Sequence, residues 1–140
     1  MKQLLLLCLV SLFMQHPAWA LPFDDAVAAH EREDYAKSIN ILRPLAVKGD
    51  AHAQYMLGTM YGLGQGVVMD AAERVKWWTL AAEQGDASAQ AGLGVVYGLW
   101  FGAEYDIKAA MKWNLLAAAQ GHAGAQYQLG FHYLLNSTQN

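Results

Sequence analysis

Gly85-Asp86-Ala87-Ser88-Ala89-Gln90-Ala91-Gly92-Leu93-Gly94 decides how this chain folds, because it is written three times. Gly49-Asp50-Ala51-His52-Ala53-Gln54-Tyr55-Met56-Leu57-Gly58 precedes it, and Gly121-His122-Ala123-Gly124-Ala125-Gln126-Tyr127-Gln128-Leu129-Gly130 follows it. The copies start 36 residues apart, and Tyr61, Tyr97 and Tyr133 keep the spacing, as do Asp34, Asp70 and Asp106. Trp77 returns as Trp113, and the pair Ala81-Ala82 returns as Ala117-Ala118. A fixed period of roughly 20 to 50 residues marks stacked supersecondary units rather than one closed core.

Each copy opens on a helix. Gln54, Leu57, Gly58 and Tyr61 share one face by i, i+3, i+4, i+7 spacing. Glycine inside a helix costs about 1 kcal/mol relative to alanine. Its return at 58, 94 and 130 implies a neighbour too close for a Cβ, with the two alanine pairs as the expected opposing surface. Gly49-Asp50 ends one helix and starts the next: glycine takes the left-handed turn and aspartate caps the free N–H groups. His122 replaces that aspartate in the third copy, so a weaker cap is expected there.

A glycine-rich loop from Gly62 leads to Asp70, which caps a helix over 71–84. Its counterpart runs from Gly98 to Asp106, ahead of a helix over 107–120. The third copy has a helix from Ala123 to about Leu135, and 136–140 reads as a disordered polar tail. Upstream, Asp24-Asp25 should start a short helix over 26–32, and a second should span 35–48. Pro44 removes a backbone donor, which predicts a kink or an early end.

Lys2, the apolar run from Leu4 to Met14 and Ala18-Trp19-Ala20 read as a secretory signal peptide over 1–20, cleaved after Ala20. The eleven residues of that run fall short of the roughly 20 that span a bilayer. Cleavage removes Lys2 and the single cysteine, Cys8, leaving eight basic against twelve acidic residues, a net charge of −4. The remainder has no thiol nucleophile and no cysteine ligand. An acidic balance without a basic run argues against nucleic acid and anionic membrane as partners. The expected location is the periplasm or the outside of the cell, with no membrane insertion after cleavage.

Ala53-Gln54, Leu57-Gly58, Tyr61, Gly64, Gly66-Val67, Asp70, Trp77, Ala81-Ala82 and Gln84-Gly85 together resemble the Sel-1-like repeat, a 36-residue relative of the tetratricopeptide repeat. The resemblance covers about residues 34–135, in units of about 34–69, 70–105 and 106–135, within a domain over 21–135. It implies an all-α fold, an α-solenoid of antiparallel helix pairs that serves as a binding scaffold for a peptide or protein. Trp100 stands at a glycine position and Ala103 at the valine position, where the second loop departs from the pattern. Some exported members of the family bind or hydrolyse β-lactams, but those are cysteine-rich. That alternative, and a glycan- or peptidoglycan-binding module, are the competing readings.

No residue constellation reads as catalytic, and neither a cofactor nor a metal is expected. His30, His52, His122 and His132 lack ligand spacing. Gly62-Leu63-Gly64-Gln65-Gly66 follows a helix and lacks the Lys-Ser/Thr pair of a phosphate loop. The stripe His52, Tyr55, Thr59, with Ser88, Ala91, Val95 and then Gly124, Tyr127, Phe131, lies beside the core face and should line the concave binding surface. Trp100, Phe101 and Tyr105 either fold back over neighbouring helices or form a recognition patch. Trp77 and Trp113 read as core, and Trp78, matched by Asn114, as partly exposed. Leu129 and Tyr133, with Phe131, Leu134 and Leu135, lack a following helix, which predicts an open apolar end for a partner or for two copies meeting end to end.

Overall fold

A computed structural model of the chain describes the backbone of residues 20–98 and 105–137, and side-chain surroundings over 22–98 and 105–134. Within it run α1 (Ala20–Glu31), α2 (Tyr35–Val47), α3 (Ala51–Leu63), α4 (Ala71–Glu83), α5 (Ala87–Gly98), α6 (Ile107–Ala119) and α7 (Ala123–Ser137). Each helix packs on the one before it and the one after it, and α5 also meets α7. This is an all-α solenoid of helix pairs.

The joints explain the reversals. After α2, α4 and α6 a glycine takes positive φ: 99° at Gly49, 96° at Gly85 and 86° at Gly121. The next residue donates its N–H back to the carbonyl of Leu45, Ala81 or Ala117, while the glycine N–H reaches Ala46, Ala82 or Ala118. This double bond pattern satisfies the orphan carbonyls at a helix end. The same next residue then caps the following helix: Asp50 Oδ1 accepts from Ala53 N at 2.8 Å and Asp86 Oδ1 from Ala89 N at 2.7 Å. His122 does so through Nδ1, accepting from Ala125 N at the longer distance of 3.3 Å. The joint after α1 uses the same scheme with Glu33, at φ 60°, in the glycine position.

The longer loops also repeat. Asp70 and Asp106 cap α4 and α6, and their N–H groups donate to Tyr61 and Tyr97 carbonyls at 2.9 and 3.0 Å. Gln65 ties the first loop to α1 and α2 through His30 Nε2 at 3.0 Å and the Tyr35 hydroxyl at 3.4 Å.

Several expectations need correction. The first helix begins at Ala20 rather than after Asp24-Asp25, which lie inside it and exposed; Pro22 sits in its first turn, where no N–H is missed. Pro44 does not end α2, which runs to Val47. Asn40 and Pro44 are both exposed, so the carbonyl that loses its donor faces water. Asn136 and Ser137 belong to α7, not to a disordered tail, and residues 138–140 lie outside the described residues. Leu129 is only 8% exposed, held by the packing of α7 on α5 and α6 without a following helix; Tyr133 (56%) and Leu134 are exposed.

The core thins along the chain. Its first cluster joins Ala26, Ile39, Leu42, Ala46, Ala53, Leu57 and Met60. The second holds Ala81, Ala82, Ala89 and Leu93, and the third, among the described residues, Ala91, Ala117 and Ala125. Trp77 and Trp113 are half-buried at the edges of the first two clusters rather than inside them.

Candidate binding groove

The first helices of the pairs, α3, α5 and α7, lie in sequence along one side, so two seams form between them. In the α3–α5 seam Trp78 reaches across from α4. Its indole N–H donates to the Tyr55 carbonyl at 3.1 Å and meets Thr59 Oγ1 at 3.3 Å. Its ring stacks on Tyr55 with centroids 5.9 Å apart and lies under the Arg74 guanidinium at 5.4 Å. A Cβ on Gly58 would meet the indole at 2.6 Å, and so would one on Gly92 across the seam. The close approach expected at Gly58 is real, but its partner is Trp78 and the Arg74 carbonyl, not an alanine pair.

One period later the seam between α5 and α7 is built differently. Trp78 is partly exposed, as expected, whereas Asn114, which stands in its place one period on, is fully buried. A Cβ on Gly94 would collide with Asn114, again not with alanine. Asn114 Nδ2 donates to Gln128 Oε1 at 3.1 Å, while its Oδ1 has no partner. Among the described residues a Cβ on Gly130 would meet nothing, so the third glycine of the series answers to no neighbour there.

Between α5 and α7 lies a recess of about 250 Å³, lined by Val95, Gly98, Tyr127, Gln128, Phe131 and His132. A smaller space of about 90 Å³ lies between α3 and α4, beside Thr59, Gly62, Leu63, Arg74 and Trp78. A further recess of about 240 Å³ lies on the other side of Phe131, against Tyr127, Gly130 and Leu134.

The expected stripe therefore divides. Tyr127 (76% exposed) and Phe131 (52%) stand open on α7, and Val95 is half-buried beside them. Tyr55 and Thr59 are engaged with Trp78, and Ser88 is half-buried. Ala91 is 6% exposed, so it backs the surface rather than lining it. His52 is exposed, with Nδ1 3.4 Å from Asp86 Oδ2 and its ring near Phe23. Tyr105 is exposed, while Trp100 and Phe101 lie outside the described residues. Among the described residues no group of three His, Cys, Asp or Glu is placed to hold a metal ion.

A glutamine ladder went unread in the sequence. Gln54 and Gln90 are buried in α3 and α5 and donate to the Ala46 and Ala82 carbonyls, each at 3.0 Å, clamping the preceding pair. Gln84 and Gln120 return a bond to each, at 2.8 and 2.9 Å. The signal was present: Gln54 and Gln84 both repeat at 36 residues.

Helix pairs of fixed length, joined by one-residue caps and buried glutamines, define an α-solenoid scaffold. Residues 51–86, 87–122 and 123–138 each match the Sel1 repeat, and the chain belongs to the Sel1 repeat family. It is similar to a protective antigen present in uropathogenic Escherichia coli strains displaying an SLR fold, at 36% identity and a TM-score of 0.77. That match covers 82% of this chain and 26% of the antigen's. A Sel1 repeat protein from Oxalobacter formigenes is 30% identical with a TM-score of 0.73, covering 78% of this chain and 45% of that one. The chain thus spans less than half the length of either. None of the curated proteins matches it. Sel1 repeat folds are commonly protein–protein interaction scaffolds and are generally non-catalytic.

Proposed function

We propose that this protein is an exported scaffold that holds an extended peptide or a helix of a partner protein along α3, α5 and α7. The observation that carries this reading is the pair Tyr127 and Phe131, large and exposed, flanked on both sides by recesses. Exposed apolar patches of this kind mark interaction sites, and aromatic residues dominate the energetics of such interfaces. Export rests on Met1 to Ala20, whose basic start, apolar run and Ala18-Trp19-Ala20 have the form of a secretory signal peptide. No helix among the described residues is long and apolar enough to cross a membrane.

Selection from a displayed random-peptide library on the purified exported form, whose intact mass should begin at Leu21, tests the reading. Selected peptides should bind at least tenfold more weakly to a Tyr127→Ala, Phe131→Ala variant whose melting temperature is unchanged. Peptides that bind that variant as well as the parent would place the binding surface elsewhere.

A further inference from the structure

We infer that the recess between α5 and α7 is a socket for an aromatic side chain of the bound segment, with tryptophan the best fit. This rests on the reading of the groove as a peptide-binding surface. The chain itself supplies the template. In the α3–α5 seam the space between the helices is filled by Trp78, braced by Tyr55 and Arg74. One period on, these three become Asn114, Ala91 and Ala110, all buried, so three large side chains are replaced by three smaller ones. The recess lies at the equivalent place: Thr59, which meets the Trp78 indole, corresponds to Val95 on its wall, and Gly92, which receives the Trp78 ring, corresponds to Gln128.

The walls suit a neutral ring. Among the described residues that line the recess there is no Asp, Glu, Lys or Arg. Tyr127, Phe131 and His132 offer ring faces and edges, which pair with another aromatic better than with an aliphatic chain. Gln128 stands where Gly92 receives the Trp78 ring, and its bond from Asn114 anchors it to α6 as part of the wall. Its amide and the His132 ring provide polar atoms for an indole N–H, as the Tyr55 carbonyl does for Trp78.

N-acetyl-L-tryptophanamide is the probe, titrated into isotope-labelled protein and followed by NMR beside N-acetyl-L-leucinamide. The tryptophan probe should shift the Val95 methyls and the Gly98 amide, and bind at least tenfold tighter than the leucine probe. Phe131→Ala should weaken it at least fivefold. Asn114→Trp combined with Gln128→Gly copies the filled seam onto the open one, and should abolish the shifts while raising the melting temperature. Should that double variant fail to fold, the leucine probe and Phe131→Ala still decide. Equal affinity for the two probes, or shifts unchanged by Phe131→Ala, would overturn the socket. Selected peptides that bind the folded double variant undiminished would overturn it too, yet leave the groove as the peptide site. Loss of peptide binding from the groove altogether, with the probe shifts intact, would sink the peptide reading and keep the socket.

Discussion

The α3–α5 and α5–α7 seams are built from equivalent positions of one repeat, yet one is closed by an indole and the other is open. Between them the backbone changes little in kind: the same joints, the same aspartate caps at Asp70 and Asp106, the same buried glutamines. What differs is a handful of side chains facing the gap. A repeat can therefore hold its frame by conserving bonds along the joints while the seams specialise. In this chain the closed seam is filled from within, and the open one leaves room for the segment proposed above.

Trp78→Ala and Asn114→Ala test that contrast most severely. Removing the half-buried indole from the closed seam should cost about 3 kcal/mol, the lower end for tryptophan truncation. Removing Asn114 deletes one hydrogen bond and one unpaired buried oxygen, so its cost should stay under about 1 kcal/mol. Urea denaturation of both variants measures the difference. Comparable losses would mean the second seam is as tightly closed as the first.

The glycine series gives a finer reading. Gly94→Ala forces its methyl against buried Asn114 and should cost about 1–3 kcal/mol as an overpacked site. Gly58→Ala belongs with it, since the Arg74 carbonyl cannot easily move from 3.1 Å. Gly130→Ala meets nothing and should gain about 0.5–1 kcal/mol from helix propensity alone. Denaturation midpoints of opposite sign for Gly94→Ala and Gly130→Ala are the expected outcome; a loss at Gly130 would place an unseen neighbour there.

The smallest effect concerns the entry to the open seam. His122→Asp gives α7 the cap that Asp50 and Asp86 give α3 and α5, and should stabilise the chain by about 0.5–1 kcal/mol. Thermal denaturation measures it. No gain would show that the histidine nitrogen at 3.3 Å already serves as well as a carboxylate.

The sequence made the period, the helices and the joints legible, because these depend on residues close together in the chain. Glycine followed by aspartate has one physical use at a helix end, and it recurs on schedule. The contents of the seams were not legible in the same way. Gly58 and Gly92 lie 34 residues apart and both face Trp78, a pairing that no local pattern announces. Asn114 pointed rightly to a partly exposed Trp78, but its own burial is against the usual surface place of asparagine and goes with a bond to Gln128 on the next helix. Pro44 misled because its cost depends on whether the Asn40 carbonyl faces water. Of the expected groove residues, Tyr127 and Phe131 stand open, whereas Ala91 lies beneath them, a distinction of depth that spacing alone does not carry.

The joints have one further consequence. Asp50, Asp86 and His122 each serve two helices at once, closing one and opening the next. Such a connection has no spare residue. Adding one would break both sets of bonds and displace the helix that follows. The connections ending at Asp70 and Asp106 are longer and anchored at their far ends by a single backbone bond. A change of length there leaves the joints intact, so the protein can be edited like the margin of a page, provided the bonds of Gln65 to His30 and Tyr35 are kept.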